Sequence, residues 1–268
     1  KEKIKFILEL FNIKKIKEVK KEIKKQIKIY PNSPVLYNIQ GAVFAEENNQ
    51  DLAINSYKKA KEINPNYAQA YNNLAIIFQK QNKFDDAIEN YKKAIDIKND
   101  FTEAYNNLGT VMIDVNKFKN SMEFFNKAIK LKPNYAEAHY NLGLAYSNLK
   151  NFQKSLESFK NAIKIKPNYF EAYNNLGNIF SEVSDFDNAI QNYNKAISLN
   201  PDYDKPHDNL GNLFGVLGEF DKSYSEHQEA IKIKSNNAQT YSNLLFYYLH
   251  RTDFKQDSYL KEAKKFRS

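Results

Sequence analysis

The sequence of 268 residues contains no cysteine and no tryptophan, two methionines, and only seven glycines and seven prolines. Without cysteine there is no disulfide framework, no thiolate metal site and no cysteine nucleophile. The same absence fits a reducing compartment, and a cytoplasmic location is the expectation. No apolar run reaches the roughly 18 residues that span a bilayer, so no membrane partner is expected. The basic start, Lys1 to Leu10, is not followed by the long apolar core of a signal peptide. The first residue is not Met, and the chain reads as a fragment of a longer protein. Few helix breakers among many Lys, Glu, Ile, Leu and Ala favour helix throughout.

Charge is abundant but unevenly placed. The formal net charge is +8, yet residues 1–33 carry eleven Lys against four Glu. Residues 251–268 add a further excess of +3, which leaves the long middle, 34–250, at −2. A nucleic-acid groove carries positive charge along its length. A nearly neutral middle therefore argues against a nucleic-acid partner.

The middle is instead a repeat. YNNLA (71–75), YNNLG (105–109), HYNLG (139–143), YNNLG (173–177), HDNLG (207–211) and YSNLL (241–245) recur every 34 residues. The units run 1–33 (incomplete at its start), 34–67, 68–101, 102–135, 136–169, 170–203 and 204–237, and 238–268 begins as an eighth. Counted from residue 68, the eighth position is small: Gly41, Ala75, Gly109, Gly143, Gly177, Gly211. The twentieth is Ala or Ser, and the twenty-seventh is Ala in Ala60, Ala94, Ala128, Ala162, Ala196 and Ala230. Small residues at fixed places let two helices approach closely. Aromatic rings fill the spaces between, with Tyr57, Tyr91, Phe125, Phe159 and Tyr193 at the twenty-fourth position. Phe84, Phe118, Phe152, Phe186 and Phe220 open each second helix. Pro31, Pro65, Pro133, Pro167 and Pro201 follow it, where a ring that cannot continue a helix turns the chain.

This pattern is identified as that of the tetratricopeptide (TPR) repeat, a pair of antiparallel helices. The resemblance implies an all-α, right-handed superhelical solenoid. Unit 34–67 departs from it, with Gln40 for the usual Leu and Gln50 for the aromatic, and is expected to pack less well. Residues 258–266 (SYLKEAKKF) read as an amphipathic capping helix out of register, or the start of a linker to a further domain.

First helices of stacked repeats line a concave face, and second helices carry most of the charge on a convex one. A homodimer through the convex face stays open. On the concave face Asn recurs at the sixth position: Asn73, Asn107, Asn141, Asn175, Asn209 and Asn243. A carboxamide both donates and accepts, so such a ladder can hold the backbone of an extended polypeptide without reading its side chains. Ile39 interrupts the row in unit 34–67. A second row, Asn38, Asn72, Asn106 and Asn174, reads as plain solvent-facing polarity. The Lys and Arg with which one TPR subclass grips a C-terminal carboxylate are absent from these positions.

Nothing in the sequence organises an active site. His139 and His207 stand where other repeats have Tyr, and His227 stands at the aromatic twenty-fourth position. All three read as packing substitutes, and His250 is alone. There is no HExxH, no GxxxxGK[ST] and no GxGxxG. No catalysis by this chain, no metal and no cofactor are expected.

A narrower resemblance lies at 238–266, AQTYSNLLFYYLHRTDFKQDSYLKEAKKF. It is similar to the junction between TPR units and catalytic domain in bacterial proteins of the O-linked N-acetylglucosamine transferase (SPINDLY-like) family. The YNNLG units and IYPNSPVLYNIQGAV (29–43) resemble that family's TPR region as well. The resemblance implies an acceptor-binding arm whose sixth-position asparagines hold the acceptor's backbone. The alternatives are a free-standing scaffold and an arm fused to another transferase, such as a sulfotransferase.

Overall fold

In each unit an apolar stripe at helical spacing is followed by a short turn and a second such stripe, and both become helix. The computed structural model describes residues 2–250 and, beyond them, positions 255, 256, 260 and 263. Among the described residues there are fifteen helices and no strand, as an all-α solenoid requires. The chain divides into two units, Lys1–Pro133 and Asn134–Ser268.

The first unit holds α1 (Glu2–Asn12), α2 (Ile16–Ile29), α3 (Pro34–Glu46), α4 (Gln50–Ile63), α5 (Ala68–Lys80), α6 (Phe84–Ile97), α7 (Thr102–Asp114) and α8 (Phe118–Leu131). The second holds α9 (Ala136–Asn148), α10 (Phe152–Ile165), α11 (Phe170–Glu182), α12 (Phe186–Leu199), α13 (Asp204–Val216), α14 (Phe220–Ile233) and α15 (Ala238–Tyr248). Odd-numbered helices are the first helices of their repeats. Those from α1 to α13 each pack on the helix that follows, and α1 lies beside α3, α3 beside α5, α5 beside α7, α11 beside α13 and α13 beside α15. Of 258–266 only positions 260 and 263 are described, and most of the chain after His250 lies outside the described residues. No described helix is long and apolar enough to cross a membrane.

The close approach within a pair is tight. A Cβ built on Gly143 would stand 2.7 Å from Cε1 of Phe159, which is itself fully buried. The same ring-over-glycine contact recurs at Gly41, Gly109, Gly177 and Gly211. The alanines at the twenty-seventh position are buried throughout.

The turn between the two helices has a regular conformation of its own. Lys14, Asn48, Asn82, Asn116, Lys150, Ser184 and Gly218 all have φ between 57° and 77°. Each helix that precedes such a turn ends in a backbone bond that spans this left-handed residue, such as Lys83 N to Phe78 O at 2.9 Å and Asp185 N to Phe180 O at 2.9 Å. This is the Schellman arrangement, which satisfies helix-end carbonyls.

In unit 34–67, Gln40 is half-buried and its Oε1 accepts from the Ser56 hydroxyl at 3.3 Å. Ile39 goes into the core in its place, joining Leu36 and Val43 against Ile7, Leu10, Val19 and Ile23 of α1 and α2. Gly41 still lies against the Tyr57 ring.

Candidate functional site

The sixth-position asparagines sit one residue before leucines that are almost fully buried, including Leu74, Leu108, Leu210 and Leu244 at 1% exposure. One step along a helix turns the side chain by about 100°, so Asn73, Asn107, Asn141, Asn175, Asn209 and Asn243 leave the core and are half-buried. They are therefore on the first-helix face but not in open solvent.

The second row is not solvent-facing. Asn72 and Asn106 are 6% exposed and Asn174 is 2% exposed. The reason is geometric. In an NN pair repeated every 34 residues, the fifth position of one repeat meets the sixth position of the next, and the neighbouring helix covers it. In the first unit Asn73 Nδ2 donates to Asn38 Oδ1 at 3.0 Å, and Asn107 Nδ2 to Asn72 Oδ1 at 3.2 Å. In the second, Asn209 Nδ2 donates to Asn174 Oδ1 at 2.9 Å. Tyr140 replaces the second-row Asn in its repeat, and its hydroxyl accepts from Asn175 Nδ2 at 2.8 Å. The two rows are thus one zigzag that staples successive first helices. Buried amides are costly without partners, and here Asn72 and Asn174 each find one in the next repeat.

This stapling uses part of the hydrogen-bonding capacity of the ladder. Asn209 also donates to Asn178 Oδ1 at 2.9 Å, so both its N–H groups are engaged and its carbonyl is left as an acceptor. Asn243 donates to Asn212 Oδ1 at 2.8 Å and accepts from Gln239 at 2.9 Å.

A third polar position, the ninth, was not singled out in the sequence. Asn178 donates to Asn175 Oδ1 at 3.4 Å and accepts from the Tyr193 hydroxyl at 2.9 Å. Burial pushes the Tyr193 hydroxyl above its ordinary pKa, which keeps it a donor. The signal was available as Asn at i and i+3 on one helix face, in Asn175–Asn178 and Asn209–Asn212. The first unit has no asparagine there. Its corresponding network runs through Gln79, which donates to Asp114 Oδ2 at 2.7 Å and accepts from the Tyr91 hydroxyl at 3.1 Å.

In the second unit these groups border a trough of about 410 Å³. Asn178, Asn209, Asn212, Ser147 and Ser181 supply its polar lining. Ile179 and Leu213 supply apolar lining, together with Val216, which is 73% exposed. Lys150 and Glu182, 3.8 Å apart and well exposed, complete it. Convergent amides and hydroxyls beside exposed aliphatic surface make a binding surface.

His227 packs as expected and also bonds, and His250 is not alone, since its ring lies 5.3 Å from Phe220 and 4.8 Å from Phe246. His227 is fully buried, with its ring against Gly211 and stacked on Tyr247 at 5.6 Å. Its Nδ1 is 3.1 Å from Asp208 Oδ1, and His207 Nδ1 is 2.7 Å from Glu226 Oε2. His139 is half-buried on α9. Among the described residues no group of three or more His, Cys, Asp or Glu could hold a metal ion.

Solved structures similar to this chain share its architecture. The Cut9–Hcn1 hetero-tetramer of the APC/C matches with a TM-score of 0.79 at 16% identity, over 90% of this chain and 48% of the other. The chain thus spans about half the length of that protein. MamA matches with a TM-score of 0.54 at 28% identity, over 59% of this chain and 93% of its own. YrrB, described as a TPR protein with an unusual peptide-binding site, matches with a TM-score of 0.54 at 21% identity, over 69% of this chain and 95% of its own. No curated protein matches. A tetratricopeptide repeat model matches residues 136–169 and 170–203, and a TPR repeat model matches 41–82, 77–115 and 111–150. These matches run through more than half of the sequence and fall on the same helix pairs that the glycine, alanine and aromatic positions define, so the chain belongs to the tetratricopeptide repeat family.

Proposed function

We propose that the chain is a protein-interaction module that binds an extended polypeptide along its first-helix face, with the trough of the second unit as the principal seat. The trough carries this reading. Its amides and hydroxyls match the alternating donors and acceptors of a peptide backbone, and its aliphatic surface suits side chains between them. Of the sixth-position asparagines, Asn209 borders the trough directly and Asn175 connects to it through Asn178. Asn141 and Asn243 would extend the track on the second unit, and Asn73 and Asn107 would offer the same groups on the first. YrrB provides a precedent for a peptide-binding site on this fold.

Peptides selected from a random display library test it, with affinities measured by calorimetry. Asn212→Ala and Ser181→Ala are each expected to weaken a selected peptide about fivefold, the equivalent of a lost hydrogen bond near 1 kcal/mol. Selected peptides that bind both variants as well as they bind the parent would remove the trough from the reading.

A finer reading makes that polypeptide the acceptor substrate of an O-GlcNAc-transferase-like enzyme. It rests on the resemblance of 238–266 and of the sixth-position asparagines. A reading frame that continues past Ser268 into a nucleotide-sugar-binding domain is its expected finding. A stop codon close by would leave a scaffold for complex assembly.

A further inference from the structure

We infer that Glu171, which shares a face of α11 with Asn175 and through it neighbours Tyr140, receives a cationic side chain, Lys or Arg, of the bound polypeptide. The inference rests on the polypeptide-binding reading above and names the ligand chemistry of the same face.

The starting observation is a break in the repeat. The fifth position reads Asn38, Asn72, Asn106, Tyr140, Asn174, Asp208, so a single aromatic interrupts a row of small polar residues. Tyr140 is held in place by packing: its ring lies 4.9 Å from Tyr169 and 5.7 Å from Phe159. Its hydroxyl is fixed by Asn175. On the same face of α11, one turn before Asn175, stands Glu171, and Phe170 beside it packs edge-on against Tyr203 at 5.0 Å.

Glu171 is half-buried and has no ion-pair partner among the described residues, in a chain with 40 Lys and Arg. Burial raises the pKa of Tyr140, Tyr169 and Tyr203, and the Glu171 carboxylate raises each of them further. A glutamate in the first turn also interacts favourably with the helix N-terminus, and that accounts for Glu103 and Glu137 at the same position of their repeats. It does not account for Tyr140, whose hydroxyl is held one turn along α11 from Glu171. Aromatic faces beside a partly desolvated carboxylate attract cations through both ring quadrupole and charge. The faces here already do so: Lys166 Nζ lies 4.2 Å over the Tyr169 ring. The continuity Glu171–Asn175–Asn178 places this site at one end of the amide track, so a single extended segment can engage both.

The experiment is selection of nine-residue peptides from a random display library against the folded parent chain, Glu171→Gln and Tyr140→Asn. The last variant restores the residue of the other repeats and guards against simple misfolding, and thermal unfolding confirms that all three are folded. Peptides selected on the parent are expected to share a Lys or Arg at one fixed position. Replacing that residue by Gln should cost about tenfold in affinity. Glu171→Gln should cost about the same, and the two losses should not add. Tyr140→Asn should reduce the preference for the cation. Parent-selected peptides that lack a shared cation yet respond to Asn212→Ala would overturn this inference and leave the binding reading standing. Additive losses would overturn it equally. Failure to select any peptide would overturn the binding reading and this inference with it.

Discussion

At the scale of single residues, the turn between the paired helices makes the sharpest demand on the backbone. Seven residues there have φ near +60°, and only Gly218 is a glycine. Asparagine tolerates that conformation, but Lys14, Lys150 and Ser184 carry an ordinary Cβ into it at a cost of about 1–2 kcal/mol. Ser184 is exposed. Ser184→Gly should therefore stabilise the second unit by about 0.5–1 kcal/mol, the strain relieved less the extra chain entropy that glycine loses on folding. Chemical unfolding of parent and variant checks this, and an unchanged or lower midpoint would contradict it. The same position shows what the sequence hides. Asn48, Asn82 and Asn116 hint at a left-handed residue, but Lys150 and Ser184 do not look like turn-formers. What sets their conformation is the preceding helix end, whose carbonyls must be satisfied within a connection of three residues.

At the scale of helices, the principal surprise is the amide zigzag. Composition and period were enough to place the helix pairs, because Gly, Ala and ring positions each answer to a steric requirement that recurs unchanged in every repeat. The role of asparagine was harder to read. At one position further round the helix the same side chain goes from half-buried to buried, and only the neighbouring repeat decides which. Asn174 shows the consequence. It is 2% exposed and accepts from Asn209, which in turn serves Asn178. Asn174→Ala should destabilise the second unit by about 1–2 kcal/mol, since it removes a buried bond and leaves an Asn209 donor to find another partner. A variant as stable as the parent would show that the zigzag is an accessory to packing and not part of it. The polar rows thus do two things at once. They specify the register of neighbouring first helices, and in the proposed reading the carbonyls not used in this way would meet the ligand. That double use explains why a row of asparagines alone does not reveal how much of it is free to bind.

At the scale of the whole molecule, stability is built from many similar increments, because each repeat touches only its neighbours. A single titration repeated along the chain should therefore have a collective effect. Tyr57, Tyr91 and Tyr193 sit in the same ring position of three repeats, and Tyr169 and Tyr203 sit at two repeat boundaries. All five have pKa values raised above the ordinary value near 10, and burial is the largest cause in each. A phenol whose folded pKa exceeds its unfolded one favours the fold while it is protonated. That contribution is complete below the unfolded value and is lost as the pH rises above about 10 towards the folded value. One group opposes the trend. Lys61 is partly buried beneath the Tyr71 ring, with a lowered pKa caused chiefly by desolvation, so losing its proton favours the fold. Five phenols outweigh one amine. Helicity should therefore hold to about pH 10 and then fall as the pH rises further, with buried phenols ionising as the helices melt. Circular dichroism and tyrosinate absorbance followed on the same sample decide the matter. Coincident transitions would tie the loss of structure to the ring positions in both units, whereas phenols that ionise at their ordinary pKa in an intact helical protein would mean that the rings are more accessible than their packing implies.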